Sequence, residues 1–166
     1  MSLEIERRFL VQGDEWKLLI KQEQNIEQGY ISTNFEDWVS RVRISNEIDA
    51  KLTLKKSQDG LLNHEFEYAI PIEDAKNILN LTKFKLTKKR FALRLSPGLW
   101  VIDCFLNKNK PLIIAEVELA TKKSEIIKPN WCGKELTGIK QFSNACLSTY
   151  PICNWSEEEK KKFALN

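Results

Sequence analysis

The sequence predicts a mainly β protein of the α+β class, and three observations support this prediction. Segments in which charged and apolar side chains alternate recur along most of the chain. Short turn-forming runs separate several of these segments, which favours antiparallel pairing of neighbouring strands. Helical patterns are fewer and lie between or after the strand-like segments. We therefore expect about eight strands, mostly antiparallel, with flanking helices.

Each predicted element is bounded by turn residues or by a change of pattern. The strands are Leu3–Val11, Gly29–Asn34, Asp37–Ser45, Ala50–Lys56, Asn63–Ile70, Lys83–Leu95, Leu99–Leu106 and Leu112–Thr121. The clearest turns are Ser57-Gln58-Asp59-Gly60, Ser96-Pro97-Gly98 and Asn107-Lys108-Asn109-Lys110-Pro111. The predicted helices are Asp14–Gln22, Pro71–Leu81, Thr137–Leu147 and Ser156–Ala164. The last has Ser156 as N-cap and Glu159 at the third helical position, which is the pattern of a capping box.

The composition of the chain disfavours several classes of function. The chain has 166 residues, of which 42% are hydrophobic and 30% charged, and a net charge of +3, which is typical of one soluble domain and gives little support for nucleic-acid binding. The four cysteines lack a C-x-x-C spacing and His64 is the single histidine, so a zinc site is disfavoured and reduced thiols are expected. The longest apolar run, Pro111 to Ala115, is too short to span a bilayer. Phosphate-loop, dinucleotide-binding and nucleophile-elbow motifs are absent. We expect a cytoplasmic protein with no membrane partner and no specific nucleic-acid partner.

The predicted strands carry pairs of like charges at positions i and i+2, which lie on one face of a strand. Glu4 and Glu6 open the chain, and later strands repeat the pattern with Arg41 and Arg43, Glu65 and Glu67, Lys88 and Arg90, and Glu116 and Glu118. Lys51 and Lys55, four residues apart, also lie on one face of their strand. One explanation is an antiparallel sheet with a solvated face. The other is a closed barrel whose charged faces converge on a wet interior. In that case carboxylates suit a hard cation such as Mg²⁺, while Arg and Lys suit phosphoryl oxygens.

The order of these motifs resembles the CYTH superfamily, the triphosphate tunnel metalloenzymes. The resemblance is carried by Glu4-Ile5-Glu6-Arg7-Arg8-Phe9-Leu10-Val11, Gln28-Gly29-Tyr30, Arg41-x-Arg43, Leu52-Thr53-Leu54-Lys55, Glu65-x-Glu67, Lys88-x-Arg90, Asp103 and Glu116-x-Glu118. It implies an eight-stranded antiparallel β-barrel tunnel with a charged interior and flanking helices. It covers about residues 1–150, which leaves residues 151–166 as a helical tail that packs on this domain.

The resemblance also implies roles for individual residues. The residues that match divalent-metal ligands are Glu4, Glu6, Glu116 and Glu118, with Asp103 and the Glu65/Glu67 pair supporting the metal or its waters. The residues that match the triphosphate-binding set are Arg8, Tyr30, Arg41, Arg43, Lys55, Lys88 and Arg90. Catalysis is expected to involve Arg8 and Lys88, with Glu4 or Glu65 orienting the attacking water, and Mg²⁺ or Mn²⁺ as cofactor. Arg8 stands where relatives usually carry Lys, Val101 where an acid is frequent, and Gln141 where an arginine is common.

The implied activity is metal-dependent hydrolysis of a triphosphate, with inorganic triphosphate as the first candidate substrate. The alternatives are a class IV-type adenylate cyclase, a nucleoside or thiamine triphosphatase, and a binding module with weakened catalysis. If the charges face inward, apolar residues such as Phe9, Ile102 and Val117 face outward. We expect the predicted helices after residue 70 to cover part of that surface and a homodimer to cover the rest.

Overall fold

A computed structural model of the chain describes residues 2–32, 37–58 and 62–165. Within these ranges, nine strands form one sheet. They are β1 (Ser2–Val11), β2 (Ile20–Tyr30), β3 (Val39–Ser45), β4 (Asp49–Ser57), β5 (Leu62–Ala69), β6 (Phe84–Leu93), β7 (Leu99–Phe105), β8 (Ile113–Glu118) and β9 (Cys132–Glu135). The α-helices are α1 (Ile72–Leu81), α2 (Asn144–Thr149) and α3 (Glu157–Lys162).

The first eight strands close into an antiparallel barrel. Their order is β5-β4-β3-β2-β6-β7-β8-β1, and Ser2–Ile5 of β1 pairs back with β5. The short strand β9 pairs with β1 at Phe9 and Val11, beyond the part of β1 that contacts β5. The predicted eight-stranded antiparallel barrel is confirmed, and closure removes the exposed strand edges of an open sheet.

The predicted helix over Asp14–Gln22 is wrong. Only Glu15–Leu19 turns, as a short 3-10 helix that buries Trp16, and β2 then begins at Ile20 rather than at Gly29. Residues 22–25 are all polar, so no apolar alternation marks this half of β2. The strand forms because it pairs with β6 along its whole length, and pairing outweighs local preference. Residues 33 and 34 of the predicted strand Gly29–Asn34, and residues 59 and 60 of the predicted turn after Ser57, lie outside the described residues.

The predicted helix over Thr137–Leu147 is correct only in its last part. A 3-10 turn at Lys140–Phe142 is followed by extended Ser143, whose side chain accepts a hydrogen bond from the Cys146 amide and starts α2. A serine in this position competes with helix continuation by capping a new helix. At α3 the capping box of Ser156 and Glu159 is present. Strand β9 was not predicted, because a four-residue Cys-Gly-Lys-Glu segment has no strand pattern of its own.

Apolar residues on the outside of the barrel are covered in two places. Helix α1 packs Ala75 and Leu79 against Val42 and Ile44. The outer faces of β1, β7 and β8, with Phe9, Ile102 and Val117, form a cluster with Trp16 and Trp131. The expectation that the two C-terminal helices cover this outer surface is wrong, because they pack elsewhere.

The C-terminal segment closes one end of the barrel. Side chains that point inward at that end form one cluster with residues after 135, and we call this cluster the apolar floor. Its inward-facing members are Leu10, Tyr30, Leu86, Phe105 and Ile114, and its C-terminal members include Phe142, Leu147, Ile152, Trp155, Phe163 and Leu165. Phe142 contacts Phe163 edge to face at 4.7 Å between ring centroids. The division of the chain at residue 150 stays a prediction.

Candidate functional site

The charged side chains predicted to converge do so inside the barrel. Residues directly opposite each other in neighbouring strands share a face. Arg8 lies opposite Glu116, and Glu6 lies opposite Glu118. Lys55 lies opposite Glu65, and Arg90 lies opposite Asp103. Every pair therefore presents its charges to the same side, and the apolar clusters occupy the other side.

The first group of contacts joins β1, β4 and β5. Lys55 Nζ lies 2.8 Å from Glu4 Oε2, 3.4 Å from Glu65 Oε2 and 3.9 Å from Glu6 Oε1. Arg8 Nη2 donates to Glu6 Oε1 at 2.7 Å. Burial raises the pKa of Glu6, but the charges of Arg8 and Lys55 outweigh it and lower the pKa to about 2.

A second group lies on β3, β4 and β5. Arg43 Nη2 donates to Glu67 Oε1 at 2.8 Å, and Lys51 Nζ donates to Glu67 Oε2 at 2.8 Å. Arg41 Nη2 donates to Thr53 Oγ1 at 3.0 Å and lies 4.0 Å from Glu65 Oε1. Glu67 thus holds three bases at fixed positions along one wall of the interior, since Arg41 also lies 3.5 Å from it.

The third group is the most deeply buried. Asp103 is 0% exposed and Lys88 is 2% exposed. Lys88 Nζ lies 2.5 Å from Asp103 Oδ2, while Arg90 binds both oxygens of Asp103 at 2.7 Å. Burial raises the pKa of Asp103, but Arg90 and Lys88 outweigh it and hold the pKa well below its usual range. Arg90 also donates to Glu116 Oε2 at 2.6 Å, which connects this group to β8.

Tyr30 lies where the charged interior meets the apolar floor. Gln28 Nε2 donates to the Tyr30 hydroxyl at 2.5 Å, and Arg41 also forms a side-chain hydrogen bond with that hydroxyl. Burial raises the pKa of Tyr30 to about 12, so its phenol is protonated at neutral pH. From the floor, Asn144 Oδ1 accepts a hydrogen bond from Lys88 Nζ at 3.3 Å.

Two buried guanidinium groups each have an Nε–H donor that forms no hydrogen bond. Arg41 Nε is buried without a hydrogen-bond partner, and Arg8 Nε is buried 3.3 Å from Glu116 Oε1 without the geometry of a hydrogen bond. An unpartnered buried donor is destabilising, and native proteins keep few of them. A group with several acceptor oxygens, such as a phosphate, would satisfy both.

The carboxylates of β1 and β8 form a set suited to a hard cation. In the described part of the chain, no cluster of three or more Asp, Glu, His or Cys side chains is arranged to hold a metal ion. Arg8, Lys55 and Arg90 bind these carboxylates instead. Yet burial and the nearby charges of Glu4 and Glu6 raise the pKa of Glu118. Oxygen-only donors of this kind are the ligands that a hard divalent cation such as Mg²⁺ or Mn²⁺ prefers.

Of the predicted site residues, Glu4, Glu6, Arg8, Tyr30, Arg41, Arg43, Lys55, Glu65, Lys88, Arg90, Asp103 and Glu116 all lie on the inner face, and Glu118 lies opposite Glu6 at the exposed end of β8. Their assigned roles stay predictions. Gln141 does not reach the interior and donates to Glu159 of α3. Our sequence interpretation gave no role to three polar residues of this region, Gln28, Thr53 and Asn144. Position i±2 from a charged or aromatic inner residue is the signal that could have identified Gln28 and Thr53.

Comparison with known proteins agrees with this geometry. The family model of the CYTH domain matches residues 2–145. The inorganic triphosphatase of Acetivibrio thermocellus is 36% identical over 159 residues, covering 95% of this chain and 100% of that protein. The inorganic triphosphatase of Nitrosomonas europaea is 29% identical over 153 residues, covering 87% and 96%. The crystal structure of the inorganic triphosphatase NE1496 superposes with a TM-score of 0.66 at 28% identity, over 89% of this chain and 95% of that one.

Proposed function

The chain belongs to the CYTH domain family, and we propose that it hydrolyses inorganic triphosphate inside its barrel with the help of a divalent cation, Mg²⁺ or Mn²⁺. The name shared by two curated relatives supports inorganic triphosphate as the substrate. The single observation that supports the chemistry is the interlocked network of bases and carboxylates on the inner face.

This network explains why an anion and a cation would bind together. Arg8, Lys55 and Arg90 each contact at least two carboxylates. A triphosphate that took these bases alone would leave the carboxylates without partners in a poorly solvated interior, which is costly. A triphosphate accompanied by a divalent cation satisfies both halves of the network. With both bound, the carboxylates would contact the cation and the bases would contact phosphoryl oxygens, so neither set of charges would be left without a partner.

The residues divide into two functional groups under this proposal. The cation would be held by Glu4, Glu6, Glu116 and Glu118. When bound, it would neutralise part of the negative charge on the phosphoryl oxygens. Arg8, Arg41, Arg43, Lys55, Lys88, Arg90 and Tyr30 bind the triphosphate oxygens and stabilise the charge of the transition state. Glu4 or Glu65 orients the attacking water. Asp103 fixes Arg90 and Lys88, since both of its oxygens are bound to these bases.

A phosphate-release assay tests the proposal. Purified protein is incubated with triphosphate, ATP or thiamine triphosphate, with Mg²⁺, Mn²⁺ or EDTA. We expect release of phosphate from triphosphate that requires the cation and exceeds release from the two organic triphosphates. Formation of cyclic AMP from ATP would indicate a cyclase instead. Calorimetric binding of triphosphate without turnover would indicate a binding module.

Location and assembly are also proposed. All four cysteines are free, which supports a reducing compartment such as the cytoplasm. In the described part of the chain, no helix has the length and apolarity needed to cross a bilayer. Trp38 packs against Phe66 with tilted rings, 6.1 Å between centroids, on the outside of the barrel. Trp38 is 40% exposed, and Tyr68, on the same strand as Phe66, is 55% exposed. These side chains support a homodimer, and light scattering across a dilution series tests it.

A further inference from the structure

Gln28 is a buried polar residue to which the proposed function assigns no role in binding the cation or the triphosphate. Its side chain is 0% exposed. One end of the amide donates to the Tyr30 hydroxyl at 2.5 Å. The other end, Oε1, has no hydrogen-bond partner. The amide of Gln28 therefore forms one hydrogen bond, to Tyr30, and its Oε1 atom forms none.

Stability does not explain a glutamine at this position. A buried carbonyl oxygen without a donor lowers the free energy of unfolding relative to an apolar side chain of the same shape. Methionine has nearly the same length and no polar requirement, and the neighbouring inner positions include Ile26 and Leu86. An apolar residue would fit this wall of the barrel at least as well, so the reason for an amide lies in its contact with Tyr30.

The backbone holds Gln28 and Tyr30 in place from outside. The residue between them, Gly29, faces helix α1, and a Cβ atom there would lie 2.8 Å from Leu79 Cδ2 and 3.0 Å from Thr82 Cγ2. Such a close approach leaves β2 little room to shift. Gln28 and Tyr30 are therefore presented to the interior from a fixed stretch of strand.

The contact determines the direction in which the Tyr30 hydroxyl donates. Both Gln28 Nε2 and Arg41 can only donate to it, and a phenol oxygen has two acceptor sites. With both donors in place, the phenol oxygen is an acceptor from the protein and its own hydrogen is directed to a third group. In a site filled with triphosphate, a phosphoryl oxygen is the acceptor available to it.

We propose that Gln28 is a positioning residue that orients the Tyr30 hydroxyl to donate a hydrogen bond to the bound triphosphate. The inference rests on the proposed function for the identity of the ligand. Gln28 itself touches no reacting atom and acts through Tyr30 and the shared Arg41 contact.

The experiment compares three variants with the unmodified protein: Gln28→Met, Tyr30→Phe and the double variant. Steady-state hydrolysis of triphosphate gives kcat and KM, and thermal unfolding gives the melting temperature. We expect Gln28→Met to lower kcat by about 10- to 100-fold, up to the cost of misplacing a binding group, and to raise KM several-fold because the oriented hydroxyl also binds the triphosphate in the ground state. Its melting temperature should equal or exceed that of the unmodified protein. The double variant should be no slower than the slower single variant, because both changes remove the same contact.

Gln22→Met is the matched control, since Gln22 lies on the same strand but is exposed. It should leave kcat, KM and melting temperature unchanged. Three outcomes overturn the inference: unchanged kcat in Gln28→Met, a lower melting temperature that accounts for its lost activity, or fully additive losses in the double variant. If the unmodified protein binds triphosphate without releasing phosphate, the proposed hydrolysis is refuted. The same set of variants measured by calorimetric affinity then decides the inference, with coupling supporting it and additivity overturning it.

Discussion

Asp103→Asn is the substitution whose effect on stability the structure predicts most sharply. The change keeps the size of the side chain but replaces a carboxylate oxygen with an amide group that can only donate. Asp103 is 0% exposed and accepts three hydrogen bonds at 2.5–2.7 Å, one from Lys88 and two from Arg90. The asparagine would leave the buried ammonium of Lys88 without its counter-ion and Arg90 with only Glu116.

The magnitude follows from the cost of an unpaired buried charge. Removing one partner of a buried ion pair destabilises a protein by about 3–5 kcal/mol, which is a large part of a total stability of about 5–15 kcal/mol. For a chain of this size, about 2–4 °C is lost per kcal/mol. We therefore expect the melting temperature to fall by roughly 6–20 °C.

Urea unfolding followed by tryptophan fluorescence measures the effect, because Trp100 and Trp131 are buried near β7. Asp37→Asn is the matched control, since Asp37 pairs with Lys56 at 2.6 Å but the two side chains are 56% and 44% exposed. The control should lose less than about 1 kcal/mol. A loss of similar size in both variants would refute the view that the barrel interior is poorly solvated around Asp103.

Three further predictions concern the same interior, and a fourth concerns the contact between β2 and helix α1. Glu116→Gln and Glu118→Gln should each abolish cation-dependent turnover, and full activity of both variants at limiting Mg²⁺ would contradict the metal assignment. Glu118→Gln should keep or raise the melting temperature, because Glu118 is repelled by Glu4 and Glu6. Triphosphate should stabilise the folded protein by about 2.7 kcal/mol at 100 times its Kd, and equal thermal shifts with sulfate or monophosphate would indicate generic anion binding. The free energy of unfolding should fall as the pH is lowered from about 4.5 to about 2, because the pKa of Glu6 is lowered to about 2 in the folded protein and the unfolded chain therefore takes up the proton first. In Glu6→Gln the free energy of unfolding should depend less steeply on pH over this range. Gly29→Ala should lose about 1–3 kcal/mol because its Cβ would meet buried Leu79, whereas Gly133→Ala should lose less because its Cβ meets only the mobile end of Gln12.

The order of the charged motifs along the sequence predicted the barrel well, but it did not predict the first half of β2 or the C-terminal segment that closes one end of the barrel. Arg41, Arg43, Lys55 and Glu67 were assigned to one face from i, i+2 spacing, and they share the interior. The first half of β2 was missed because residues 22–25 are polar on both faces. Asn144 was missed as a neighbour of Lys88 because nothing in its local sequence indicates that a C-terminal segment reaches into the barrel.

The sequence by itself determined which side chains share a face and where one helix begins. Alternation along a strand and the capping box of Ser156 and Glu159 are local properties, set by backbone geometry over a few residues. Tertiary structure alone decided which base meets which carboxylate. It also decided that the chain after residue 135 forms the floor beneath Tyr30. These features depend on strands distant in sequence closing into a barrel, where the free energy of burying the apolar outer face and floor outweighs the cost of bringing paired charges together inside.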